Sequence, residues 1–356
     1  MVTLSQLTSN LLVKVSQATH QTLALPTLIF FPTARCNSRC ISCDWWKADG
    51  ADDLSFEEVR RLSDELPALR TRSVVFSGGE PLFRRDVFEL ADLFAGQGQR
   101  LHLLTSGLLL ERHAAAVGAH FGQVTISLDG HTPTLYEQIR GVNGLPVIEA
   151  GVRKLQAVSP RTPVRGRSTL HRHNFTALPA LIDKAHALGL AGISFLAADV
   201  SSEAFGRTSS SRGSPTTGLR TAASMTGLLL DAMEVQAFAD IVERTIVSHA
   251  ADFASGFVAE PPEKLRRLPR YYAAQLGLGP FPGVQCNAPW ASAVVEADGA
   301  VRGCFFHRIV GNIRARGLRA ILRDEMVAFR KGLSVARNPV CARCVCALMV
   351  GLRSAV

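Results

Sequence analysis

Lysine is nearly missing from this chain: six of its 39 basic residues are lysine and the rest are arginine. The arginines are scattered and no aromatic and basic recognition element accompanies them, so the net charge of +9 argues against a nucleic-acid partner. It suits an acidic or phosphorylated small substrate equally well. Long hydrophobic runs are absent too. A bilayer-spanning helix needs roughly 18 to 20 uninterrupted apolar residues, whereas Pro26 and Pro32 divide the stretch before Arg35, which ends it. The first twenty residues hold one lysine and no small-residue cleavage site behind an apolar run, which excludes a secretory signal. A soluble, cytoplasmic protein with no membrane partner is expected. Cysteine is missing from the whole middle of the chain. The eight cysteines stand at 36, 40, 43, 286, 304, 341, 344 and 346, one group near each end. In a reducing cytosol, thiols so closely spaced converge on one ion or cluster without backbone strain, which argues for metal ligation over disulfides.

What is present begins with bulk: 356 residues, 47% of them hydrophobic, bury one large core or two smaller ones. Short apolar runs at 28–33, 73–77, 101–105, 123–128, 164–170 and 192–196 alternate with helix-length segments at 55–66, 86–95, 109–117, 147–157 and 178–188. Ser55 and Glu58 form a capping box for the first of these helices, and Pro67 stops it. Six such strands predict a parallel sheet covered by helices, as an open sheet or a partial barrel, with the active site at its carboxyl edge. Residues 201–227, rich in Ser, Thr, Gly and Arg, read as a loop, lid or disordered segment. A helix at 228–249 and a proline-punctuated connector follow. Residues 284–356 hold five cysteines and are too few to build much of a core without a metal cluster. The chain thus divides into an N-terminal extension (1–26), a barrel (27–200), a connector (201–283) and a small cluster-binding domain (284–356).

Cys36, Cys40 and Cys43 are spaced Cys-x3-Cys-x2-Cys directly after the first strand. Three thiolates suit three irons of a cubane and leave the fourth iron open for an exogenous ligand. Zinc normally takes four protein ligands, and no histidine follows at finger spacing. Ser77-Gly-Gly-Glu-Pro81 follows the second strand, Thr105-Ser-Gly107 the third and Ser127-Leu-Asp-Gly130 the fourth. With these motifs at successive strand ends, most of the chain resembles the radical S-adenosylmethionine (radical SAM) superfamily. The resemblance implies an α/β fold, a partial (β/α)6 TIM-type barrel. Its cysteine loop would hold a [4Fe-4S] cluster whose open iron chelates the methionine end of SAM. Gly78 and Gly79 lack side chains, so backbone can approach a ligand closely, and Glu80 can accept charge-assisted hydrogen bonds. The resemblance gives Ser77, Gly78, Gly79 and Glu80 to the SAM ammonium. Ser127 offers a hydroxyl, and Arg167, alternating inward with Arg165 and Thr169 on the fifth strand, offers a fork that matches the SAM carboxylate. Arg140 competes for that role. The family often has an aromatic residue before its third cysteine, where this chain has Ser42; Trp45 or Trp46 is expected to take over the adenine packing. His102, His171, His173 and His307 read as core or surface histidines.

In the second group, Ala297-Asp-Gly299 is a hairpin turn between two apolar runs, so Cys286 and Cys304 flank a β-hairpin. A helical stretch at 318–329 then leads to Cys341-Ala-Arg-Cys-Val-Cys346. This resembles the auxiliary-cluster domain called SPASM in its shortened twitch form, a small α+β unit. Cys286, Cys304, Cys341 and Cys344 would complete a second [4Fe-4S] cluster with no open iron. Cys346 is left over, as a bystander thiol, as the true fourth ligand in place of Cys344, or as a hydrogen-atom donor. What the resemblance implies is reductive cleavage of SAM to a 5′-deoxyadenosyl radical that abstracts hydrogen from a C–H bond. Its electron would come from a flavodoxin or ferredoxin-type donor. Only 35 residues precede Cys36, which favours a small-molecule substrate in a biosynthetic pathway over a peptide recognised through a leader.

Overall fold

A computed structural model describes residues 4–202, 204–207, 225–352 and 354. Most of the Ser/Thr/Gly/Arg stretch expected as a loop or lid lies outside the described residues. Nine strands form one sheet in the order β6-β5-β4-β3-β2-β1-β7-β8-β9. β1 (Thr27–Phe30), β2 (Ser73–Phe76), β3 (Arg100–Thr105), β4 (Gln123–Ser127), β5 (Val164–Leu170) and β6 (Ile193–Ala197) pair in parallel, each with its successor. They coincide with the six apolar runs to within a few residues at either end. The crossovers carry α2 (Phe56–Glu65), α3 (Val87–Gly96), α4 (Leu110–His120), α6 (Leu145–Val158) and α7 (Leu178–Ala187), and the Ser55–Glu58 capping box is formed at the head of α2.

Before β6, two α-helices were not anticipated. One is α1 (Leu4–Thr19), which buries Asn10 and Ser16 and leaves Leu4, Leu7 and Leu11 exposed. Such inverted amphipathicity gives no periodic signal for a core-facing helix. The other is α5 (Pro133–Arg140), capped by Thr132 and closed by Gly141 in the left-handed region at φ 68. The expected helix at 318–329 breaks at Asp324 into Leu318–Arg323 and Glu325–Lys331.

The C-terminal strands do not form a separate sheet. β7 (Ser292–Val295) pairs in parallel with β1, and β8 (Ala300–Arg302) and β9 (Ile309–Asn312) continue antiparallel from it. The hairpin turn falls where expected, with Gly299 at φ 83. Between sheet and helices, Phe30, Phe76, Phe94 and Phe121 pack ring to ring at 5.2 to 5.7 Å and are all but fully buried. This core fixes the strand ends from which the site is built. No helix among the described residues is long and apolar enough to cross a membrane.

Candidate active site

The loop from Phe31 to Asp44 has no regular structure of its own and is pinned by four neighbouring strand or helix ends. Gly79 and Glu80 donate their backbone N–H groups to the carbonyls of Thr33 and Arg35 at 3.1 and 2.8 Å. Arg39 and Ile41 donate to Arg140 and Ile139 at the end of α5 at 2.9 and 3.0 Å. Ser106 beyond β3 meets Asn37 at 3.2 Å. Beyond β6, Phe205 accepts the Asp44 N–H at 2.8 Å and the buried Arg207 reaches the Ser42 carbonyl at 3.0 Å. Arg207 is itself held by Asp199 at 2.8 Å. All these anchors lie at carboxyl ends of the parallel strands or in the segments that follow them, the edge expected to carry the chemistry.

The loop brings its three thiols together. Burial pushes Cys36 up to about 11 and Cys43 up to about 12, and Cys40 rises for the same reason. The charge of Arg140 lowers all three. Among the described residues, no three Cys, His, Asp or Glu side chains converge as they would on a single metal ion. A cubane spreads its thiolates more widely than one ion does, so buried thiols beside a guanidinium fit a cluster.

Gly78 and Gly79 serve the loop first. A Cβ on Gly79 would lie 2.1 Å from the Arg35 carbonyl oxygen, and one on Gly78, at φ 100, would lie 2.7 Å from the Phe31 side chain. The close backbone approach that the sequence suggested is therefore to the cysteine loop itself. Glu80 is likewise engaged by the protein's own groups. It is fully buried, and its oxygens accept from Leu82 N at 3.1 Å, Thr105 Oγ1 at 2.8 Å and Ser106 N at 2.6 Å. Burial raises its carboxyl above the usual range, and these hydrogen bonds pull it back. Glu80 ties the end of β2 to the end of β3. Ser77 donates its N–H to Phe30 at 2.9 Å.

Ser127 and Arg167 face each other across β4 and β5. Arg167 is exposed, donates Nε to Ser194 Oγ at 3.1 Å, and acts electrostatically on Glu260 beside β6. Arg140, by contrast, lowers all three loop thiols. Arg140 is placed by Asp129, whose Oδ2 accepts from Nη1 at 3.0 Å while Oδ1 accepts from Thr169 N at 2.7 Å. Among the described residues, the Arg140 Nε is buried without a hydrogen-bond partner. Trp45 is buried with its ring edge-on to Phe31 at 5.7 Å, and Trp46 lies under Lys47.

The C-terminal cysteines also meet. Cys304, at the end of the β7–β8 hairpin, is raised by burial and by the charges of Cys344, Cys286 and Cys346. Burial brings Cys344 to about 12 and Cys341 to about 11, with smaller contributions from neighbouring thiols. Cys346 is exposed and donates its N–H to Cys344 Sγ at 3.3 Å. Phe305 and Phe306, directly after Cys304, span toward the first group: Phe305 packs on Phe31 at 5.9 Å and on Phe205 at 4.9 Å. Sequence reasoning missed Phe205 and Arg207, and read His307 only as a core or surface histidine. The first two precede a stretch without periodicity, and the last sits three residues after a cysteine with nothing local to give it a role.

A family model of the Radical SAM superfamily matches residues 30–184, and one of SPASM, an iron-sulfur cluster-binding domain, matches 286–345. The chain belongs to the radical SAM superfamily. Its cofactors are SAM and [4Fe-4S] clusters, the second of them in the SPASM-type domain. It is 28% identical over 349 residues to Fe-coproporphyrin III synthase of Methanosarcina barkeri, an alignment covering 90% of this chain and 80% of that protein. It is 32% identical to PqqA peptide cyclase of Rhodopseudomonas palustris, but over 49% of this chain and 47% of the relative. Two solved structures share the fold: SuiB of Streptococcus suis bound to S-adenosylmethionine (TM-score 0.63, 13% identity, 95% of this chain and 76% of that one) and anSMEcpe with bound AdoMet (0.61, 16%, 88% and 84%).

Proposed function

We propose that this radical SAM protein abstracts hydrogen from a C–H bond of a small metabolite, leading to oxidation or rearrangement in a biosynthetic pathway. The observation that carries this reading is the gathering of the three loop thiols, the Gly78-Gly79-Glu80 turn and Arg140 at one carboxyl edge, with the second thiol group behind a short aromatic bridge. Similarity over nine-tenths of the chain to Fe-coproporphyrin III synthase supports a small molecule, since the peptide-cyclase match spans only half. Together the reduced cluster and SAM supply a one-electron route to hydrogen abstraction.

The chain's own residues do the rest. Cys36, Cys40 and Cys43 hold the first cluster and leave one iron open. The turn at residues 77–80 would lie against the methionine end of SAM, with Glu80 bracing it. Arg140, beside the thiols and with a buried Nε–H that has no hydrogen-bond partner among the described residues, is a better partner for the SAM carboxylate than Arg167; Ser127 pairs with Arg167 across β4 and β5. Arg167, exposed and bonded to Ser194, is then left free for substrate. Cys286, Cys304, Cys341 and Cys344 hold the second cluster, and Cys346 stays a spare thiol able to donate hydrogen. A flavodoxin or ferredoxin-type protein delivers the electron.

The test uses anaerobically reconstituted protein with SAM and dithionite, and 5′-deoxyadenosine as readout. Ultrafiltered small metabolites should stimulate its formation more than a peptide fraction does. Stimulation by peptides alone would shift the assignment to peptide modification, and no SAM cleavage under any condition would overturn the activity.

A further inference from the structure

His307 is buried, and its Nε2 lies 3.3 Å from the sulfur of Cys341. The imidazole is held there from three sides. Its backbone N–H donates to the Cys304 carbonyl at 3.1 Å, its carbonyl accepts from Arg302 Nη1 at 2.6 Å, and its ring stands edge-on to Phe329 at 5.1 Å. Arg302 is buried and fixed in turn by Glu296 at 2.7 Å. Phe329 is packed so closely that a Cβ on Gly303 would come within 2.8 Å of its ring. A side chain this confined keeps its direction whether or not iron is bound.

We infer that His307 donates a hydrogen bond from Nε2 to the Cys341 sulfur and thereby sets the reduction potential of the C-terminal cluster. This rests on Cys341 being a ligand of that cluster. A cluster-bound thiolate carries no proton, so the proton of this contact sits on the imidazole. A donor to a ligating sulfur draws off negative charge, which favours the reduced cluster more than the oxidised one and raises its potential. The effect bears on the outcome of the reaction, because a higher potential makes this cluster a better acceptor for an electron from a substrate radical.

The experiment compares reconstituted wild-type, His307→Phe and His307→Gln proteins, with iron content measured on each and the C-terminal cluster potential followed by EPR-monitored redox titration. His307→Phe keeps a ring against Phe329 without a donor, and His307→Gln keeps an N–H. The expected result is full iron in all three, a more negative potential in His307→Phe and recovery toward wild type in His307→Gln. Iron loss in His307→Phe alone, with His307→Gln at wild-type potential, also requires the donated bond. An unchanged potential at full iron in His307→Phe overturns the inference, as does iron loss in both variants, which would make His307 a ligand or a packing residue. Failure of the underlying ligand assignment shows separately, as a Cys341→Ala protein that retains all its iron.

Discussion

Glu80 shows how a residue can be found in sequence while its supports are found only in the fold. Its place in the Gly-Gly-Glu-Pro turn marks the site, and its carboxylate also accepts from Leu82, Thr105 and Ser106. Glu80→Gln turns one acceptor into a donor facing the Ser106 or Thr105 donors. It should cost about 1 to 3 kcal/mol of stability in the iron-free protein, read from urea unfolding. A variant as stable as wild type would return the carboxylate to SAM. The thiols make a second prediction at this scale. Burial lifts Cys36 to about 11 and Cys43 to about 12, from an ordinary value near 9. Folding thus favours the protonated thiols, and that stability is present below about pH 9 and lost as pH rises toward 11 to 12. Iron-free protein should therefore lose denaturant resistance across that window, and less so with Cys36 and Cys43 replaced by Ala. Equal losses in both would deny the buried thiols this role.

The parallel strands were legible as elements because each is buried on both faces and reads as an apolar run between helix-length segments. Before β6, what escaped was α1, whose polar residues face inward, and the short α5. The loop between β1 and α2 could be placed but not its support, since its anchors come from β2, β3, α5 and the segment after β6, far apart in the chain. Gly79 is the tightest of these joints. Gly79→Ala would press a methyl against the Arg35 carbonyl at 2.1 Å, so the loop must shift. About half the iron should be lost after reconstitution, with the C-terminal cluster retained. Full iron content would show that the loop yields without cost.

At the level of the molecule, the two cysteine groups share one sheet, because β7 adds to β1 and carries the C-terminal hairpin with it. That junction had no signature in the sequence, where the C-terminal segment looked self-contained. That the cysteines fall into two groups was legible from spacing; the aromatic bridge of Phe31, Phe305 and Phe205 between them was not, as its rings come from three distant segments. The decisive measurement is iron content and 5′-deoxyadenosine formation in a Cys36→Ala, Cys40→Ala, Cys43→Ala protein reconstituted beside wild type. Wild type should hold about eight irons per chain and the variant about four, with no 5′-deoxyadenosine made by the variant. A triple variant that still cleaves SAM would show that the catalytic cluster is not held by these three cysteines.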